Sequence, residues 1–203
     1  VLELKILGFL DEGPLHGYEL RRRIVELDGP GGRLSEGALY PALARLEKAG
    51  SIIRTDEPGA RGRPRKRIEI TVTGRRRLHE RLRHPSKTDI ASMPRFLVVL
   101  AFLSRLPDAD ERTAVLRRRL EVLRKPAPAF FYDDGVPHRS ETETDPYRRG
   151  MIRIVASSRR AETAWLEEIL AGSSTPSPGD ASESTHPPAP PRAAHSPSRT
   201  STA

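Results

Sequence analysis

The chain contains no cysteine. That excludes disulfide bonds and thiolate zinc sites, and it fits a reducing, cytoplasmic setting. Long hydrophobic runs are also missing. The most apolar stretch, residues 96–103, is far shorter than the ~20 residues a membrane-spanning helix needs. The apolar opening, residues 1–10, is cut off by Asp11 and Glu12 and has no basic leader or small-residue cleavage site. Neither a signal peptide nor a membrane partner is expected.

Catalytic motifs are lacking too. The sequence holds no phosphate-cradling P-loop and no nucleophile motif. His79 and His84 are five residues apart, which misses the i, i+4 pair of a zinc-protease helix. His16, His138, His186 and His195 have no ligand-like neighbours in sequence. The expectation is therefore a protein that is not an enzyme and uses no metal or cofactor. There are no internal repeats.

What the chain does have is positive charge. Its 203 residues carry a formal +8, with an isoelectric point near 10.4, so a polyanion is the natural partner. The excess is uneven: about +6 over residues 1–83, about +2 over 84–172 and about 0 beyond.

Helical periodicity predicts a first helix over residues 2–11, with Ile6, Leu7 and Leu10 inward, then a turn at Gly13-Pro14. A second helix is expected over 16–27, with Leu20, Ile24 and Leu27 inward and Arg21, Arg22 and Arg23 mostly outward. The glycine-rich break at 29–32 precedes a third helix over 35–49. There Leu39, Leu43 and Leu46 form one stripe, Ser35 can cap the start and Gly50 can end it. Three short helices with tight connections make a tri-helical core. Two strands, 52–55 and 67–72, flank the basic Gly/Pro-rich segment Pro58 to Lys66, and a further helix runs from Thr73-Gly74 to Arg83.

A helix followed by a basic β-ribbon can place one element in the major groove of duplex DNA and the other on the backbone or minor groove. Ser35, Glu36 and Gly37, at the start of the third helix, allow close approach to DNA, with a simple cap the competing role for Ser35. Tyr40 lies on the same helix. Pro41 lacks an amide hydrogen and shapes the helix. Arg45 and Lys48 can reach phosphate or remain solvated surface charge. Tyr18, at the start of the second helix, is balanced between phosphate contact and core packing. Arg61-Gly62-Arg63-Pro64-Arg65-Lys66 resembles a minor-groove hook, and Arg63, Arg65 and Lys66 are expected to touch phosphate or minor groove.

The second half is read as helical after a boundary at 84–86. Residues 93–106 look apolar almost all round, which predicts a buried helix. Asp108 opens another helix through an Asp variant of the capping box, and Leu116, Leu120 and Leu123 form a short seam. Residues 126–147 read as a polar, Pro-bearing loop containing Phe130, Phe131 and Tyr132. A last helix over 147–170 aligns Met151, Ile154, Val155, Ala161, Trp165 and Ile169. From 173 to 203 the apolar content is too low to offset ordering entropy, so disorder is expected. The domains are thus 1–84, 85–172 and a tail, 173–203. The helices after residue 88 leave apolar faces uncovered, and each wet Leu- or Phe-sized side chain forfeits roughly 1.5–3 kcal/mol. A second copy of the chain is the expected cover. Pairing through Phe96, Leu100, Leu116, Leu120, Leu123, Ile154, Trp165 and Ile169 would set two reading helices roughly 34–36 Å apart. Phe96, Met151 and Trp165 are also candidates for lining an effector pocket, against the plainer alternative of core or dimer packing.

Three segments together carry a family likeness: Gly13-Pro14-Leu15-His16-Gly17-Tyr18-Glu19-Leu20; Ser35 to Leu43 with Arg45-Leu46-Glu47 and Gly50; and Arg65-Lys66 to Thr71 with Gly74. The combination closely resembles the PadR family of bacterial transcriptional regulators. The resemblance implies a mainly α fold with a small β-hairpin wing: an N-terminal winged helix-turn-helix, then a C-terminal helical dimerisation domain. It implies a homodimer that binds an inverted-repeat, pseudo-palindromic operator in double-stranded DNA, usually as a repressor. Release by a small aromatic or hydrophobic effector is implied for some members, and the matching tyrosine, here Tyr40, is placed to donate to a phosphate. Loop 126–147 and the tail depart from the family pattern. The competing reading is a basic nucleoid or architectural protein without sequence preference.

Overall fold

The computed structural model describes residues 1–58, 65–126 and 129–172. The expected hook residues Arg61, Gly62 and Arg63 and the tail 173–203 lie outside the described residues. Element order is α1 (Leu2–Glu12), β1 (Leu15–His16), α2 (Gly17–Leu27), α3 (Glu36–Lys48), β2 (Ile52–Glu57), β3 (Arg65–Ile70) and α4 (Val72–Arg83). Then follow α5 (Lys87–Ala91), α6 (Met93–Phe102), α7 (Ala109–Arg124), β4 (Tyr132–Asp133), β5 (Val136–Pro137) and α8 (Pro146–Gly172). The fold is mainly helical, with a small three-stranded antiparallel sheet in the order β1-β3-β2.

The N-terminal helices fall where periodicity places them, and several boundaries move for identifiable reasons. β2 and β3 are longer than expected at their open ends. Their register sets Asp56 opposite Lys66 and Glu57 opposite Arg65, and such opposite-charge cross-strand pairs extend a ladder. β3 ends at Ile70, not Val72, because Thr71 caps α4. Its hydroxyl accepts from Gly74 N at 3.0 Å and donates to Gly50 O at 2.6 Å. β1 was not expected at all; its two residues pair Leu15 with Ile68 and His16 with Arg67.

The central constraint lies at α1. Leu4, Ile6, Leu7 and Leu10 are all buried, and the helix packs against α2, α3, β3, α4 and α6. Gly8 faces the Phe102 ring so closely that a β-carbon there would stand 2.5 Å from ring atoms. Phe9 meets the same ring edge-on, at 5.0 Å between centroids. One buried cluster therefore continues past the helix break at His84, from Leu4 through Phe96, Val99 and Phe102 to Leu166.

The second half corrects three expectations. The short helix α5 was missed. Ser86 accepts from Asp89 N at 3.1 Å while the Asp89 carboxylate reaches back to Ser86. Burial pushes the Asp89 carboxyl up, but hydrogen bonds from Ser86 and Arg95 outweigh it and hold the group below its ordinary value. α6 is not buried all round: Met93 and Leu97 are exposed while Phe96, Val98, Val99 and Phe102 face the core. Loop 126–147 contains a hairpin, β4–β5, turned by Asp134 and Gly135 at φ 46° and 78°, the positive-φ pair of a type I′ turn. Asp145 then caps α8, accepting from Tyr147 N at 2.8 Å and Arg148 N at 3.3 Å.

Arg119 joins these parts. Its side chain is only 2% exposed. It bonds both carboxylate oxygens of Glu162 on α8 at 2.7 Å, donates to Ile90 O and Ala91 O at 2.7 and 2.8 Å, and lies 5.0 Å from the Phe96 ring centroid.

Two stability outcomes follow from these contacts. Gly8→Ala forces the Phe102 ring aside and is expected to cost about 1–3 kcal/mol, read as a lowered melting temperature. Arg119→Met strands Glu162 and two carbonyls and should cost about 3–5 kcal/mol, whereas adding Glu162→Leu recovers a large part of that. Denaturant titration of the single and double variants checks the recovery.

Candidate nucleic-acid interface

α3 is two-sided. Leu39, Ala42, Leu43 and Leu46 are buried, and Glu36, Gly37, Tyr40, Pro41, Ala44, Arg45 and Lys48 are exposed. Its N-terminus is open. The Ser35 side chain makes no cap bond, although Ser35 O accepts from Ala38 N and Leu39 N at 3.1 Å. Pro41, without an amide hydrogen, leaves the exposed Gly37 carbonyl without its usual helical donor. Gly50 ends the helix region at φ 65°.

Between the start of α2, the flank of α3 and strands β2 and β3 lies a cleft of about 630 Å³. Its apolar floor includes Leu43 and Ile68; Tyr18, Tyr40, Arg65 and Lys66 line it with His16, Arg22 and Arg54. Four of the eight residues expected to meet DNA thus share one concave surface. Ser35, Gly37 and Arg45 lie on the adjoining exposed side of α3, and Arg63 is outside the described residues. Tyr18 is 72% exposed and Tyr40 50%, so neither is packed away in the core.

The charges divide into tethered and untethered groups. Among the described residues, Arg45, Lys48 and Arg65 make no ion pair. Lys66 pairs with Asp56 across the strands at 3.3 Å, both well exposed, an arrangement worth little in water. Arg54 is tied firmly to Glu47 at the end of α3, with Nε at 2.9 Å. The Arg54 hydrogen bond holds the Glu47 carboxyl below its usual value, and the same bond raises the guanidinium's. The carboxylate nearest the end of α3 is thereby kept ionised but compensated.

Sequence reasoning gave His16, Arg22 and Arg54 no place here. His16 Nδ1 lies 3.3 Å from Lys66 O and Nε2 lies 3.7 Å from Glu57, while the His16 amide donates to Glu19 at 3.1 Å. This residue therefore ties the start of α2 to β3. Nothing in sequence spacing links positions fifty residues apart, and Arg54 meets Glu47 only because β2 folds back beside α3.

The residues expected at a dimer surface are divided. Phe96, Leu116, Leu120 and Leu123 are buried in the chain's own core, because the α7 seam is covered from within. They form no exposed surface of this fold. Leu100 is half-buried. Ile154, Trp165 and Ile169 are exposed, with Ile154 at 69%. The suggested effector trio is not brought together: Phe96 is buried, and Met151 and Trp165 stand fourteen residues apart on α8, about 21 Å along the helix axis.

Residues 6–80 match the family model described as "Transcriptional regulator PadR-like family". A curated relative, an uncharacterised 37.1 kDa protein from a Streptomyces fradiae transposon, is 44% identical over 62 residues. That match covers 30% of this chain and spans only 17% of the relative's length. Among solved structures, a transcriptional regulator from Clostridium thermocellum is 32% identical, covering 39% of this chain and 76% of that one, with a TM-score of 0.36. Bacillus subtilis PadR in complex with operator DNA is 20% identical, covering 84% of this chain and 97% of that one, with a TM-score of 0.41. The family match takes in α2, α3 and both long strands, the parts that build the cleft, together with most of α4, and residues 6–80 of the chain belong to the PadR-like family of transcriptional regulators.

Proposed function

We infer that the chain is a sequence-specific DNA-binding regulator, cytoplasmic and nucleoid-associated, that acts as a homodimer on an inverted-repeat operator and represses by occupying it. The observation that carries this reading is the exposed face of α3 beside a cleft rimmed by Tyr18, Tyr40, Arg65 and Lys66. An α-helix fits the major groove, ~12 Å wide, and the untethered cations and tyrosine hydroxyls beside it suit phosphate oxygens. Base edges would be met by the outer face of α3. Backbone contacts from the wing and the start of α2 would fix its register.

The homodimer is supported by α8. It spans 27 residues, of which only Leu166 is fully buried, while Ile154, Val155 and Trp165 are exposed along it. A stable interface takes roughly 800 Å² from each partner, and a helix about 40 Å long can supply much of that. Release by a small hydrophobic or aromatic ligand remains part of the family-based reading. With Met151 and Trp165 so far apart, such a site would use one of them together with the partner copy.

Selection of bound fragments from genomic DNA, followed by mobility shift against random competitor, tests the core of this reading. Preference for a palindrome is expected; equal affinity for all duplexes would favour an architectural role instead. Replacing Arg63 and Arg65 by Ala should weaken binding and flatten its salt dependence by about one to two units of slope, and an unchanged slope would remove the wing from the interface. Ile154→Glu places a charge on the exposed face of α8 at little cost to the monomer fold. Sedimentation should then show a single subunit, with a large loss of affinity for the palindrome but not for one half-site.

A further inference from the structure

We propose that Arg22 and Arg33 hold phosphates of one DNA strand, continuing the backbone contact from the wing along α2 to the segment before α3. The proposal rests on the reading above that duplex DNA is the ligand, and it assigns contacts beyond α3 and the wing.

A second groove, about 580 Å³, lies between α2 and the segment leading into α3. It shares Tyr18 and Arg22 with the first cleft. The two concavities therefore run end to end along α2, with Tyr18 and Arg22 at their junction and Arg33 in the second. Tyr18 and Arg22 are four positions apart, which sets them on the same face, one helical turn apart.

The partners of the neighbouring arginines sharpen the assignment. Arg21, Arg22 and Arg23 are consecutive, yet they are used differently. Arg21 donates through Nε to Leu34 O at 2.9 Å, fixing the segment that bears Arg33. Arg23 pairs with Glu12 at 3.1 Å. Among the described residues Arg22 pairs only with Glu26, at 3.7 Å, with both side chains more than half exposed. Exchanging such a pair for a phosphate costs little. Arg33 is exposed and, among the described residues, makes no ion pair or hydrogen bond. Two guanidinium groups free to move, mounted on a pinned scaffold and joined by a tyrosine to the wing side, suit a row of phosphates. The planar fork of each donor can meet phosphate oxygens bidentately.

The test is the salt dependence of binding of the full chain to a labelled mixed-sequence duplex, followed by fluorescence anisotropy. Each of Arg22→Ala and Arg33→Ala should lower the slope of log K against log salt by about 0.9, and the pair by about 1.8. Arg33→Lys should restore the slope, because it keeps the charge. Arg117→Ala, an exposed cation on α7, should leave it unchanged. A double variant with the wild-type slope, while the Arg63/Arg65 variant loses slope, overturns the proposal and leaves the general reading standing. An equal drop in Arg117→Ala also overturns it, since bulk charge rather than contact would then set the slope. Wild-type protein that ignores the duplex in dilute salt sinks both. Melting curves matching wild type are expected for the Arg22, Arg33 and Arg117 variants, since these three side chains are exposed.

Discussion

Helix α1 is packed on nearly every side, and the placement of the cleft and of the exposed α3 face follows from that. Its outward neighbours α2, β3 and α4 belong to the basic half, and α6 belongs to the second half. At Gly8 the approach to Phe102 leaves no room even for a methyl group. Cores this dense do not deform continuously. The α3 face, the cleft and the C-terminal helices up to α7 are therefore held as one unit, without a soft joint at the break near His84. In a dimer, the distance between two α3 helices would then be set by how the C-terminal helices pair, not by a flexible linker.

α8 is attached in the opposite manner. One side chain, Leu166, is fully buried. The rest of its hold is largely polar: Arg119 to Glu162, Arg124 to Glu167 at 3.1 Å, and Arg159 donating to carbonyls at the end of α7. Arg124 and Glu167 are well exposed, and such an ion pair contributes about 0–1 kcal/mol. Arg119 is different because its charge is enclosed, and removing either partner of a buried pair is far more costly than the pair's net worth. The arrangement fixes the register of α8 on α7 through one buried node. It leaves Ile154, Val155 and Trp165 exposed for another surface.

Much of the N-terminal half was legible from sequence because its signals are local. The Leu39, Leu43, Leu46 stripe has only one helical solution, and positive charge accumulates where the cleft forms. Tyr18, Tyr40, Arg65 and Lys66 come from three separate elements, yet they could be grouped because α2, α3 and a basic ribbon are joined by short connections. What escaped was non-local or very short. β1 has two residues and exists only through Ile68 and Arg67 of β3. Arg119 is one of several arginines on α7, and nothing in its sequence neighbourhood announces that α8 will cover it. Phe96 and the Leu116, Leu120, Leu123 seam were correctly read as apolar faces, but periodicity cannot say whether a face is covered by its own chain or by another. The Asp134-Gly135 hairpin did carry a recognisable turn signal, obscured by the prolines and polar residues around it.

The two strands of the ribbon carry opposite charge, and this bears on how the proposed interface would discriminate. β2 ends in Asp56 and Glu57, and β3 begins with Arg65, Lys66 and Arg67. Lys66 is held by Asp56, and Arg67 by Glu57 and Glu69 at 3.2 and 3.0 Å. Arg65, although opposite Glu57 in register, makes no ion pair among the described residues. A ribbon with only the basic strand would grip any duplex strongly, because the phosphate contribution is independent of sequence. Internal carboxylates reduce that non-specific grip while leaving a few cations at full strength. The exposed Lys66–Asp56 pair is exchanged for a phosphate at little cost, whereas Arg67, shared between Glu57 and Glu69, has two partners to give up. Affinity in such a surface is concentrated in the untethered groups, and the difference between a correct and an incorrect site is left to the exposed face of α3.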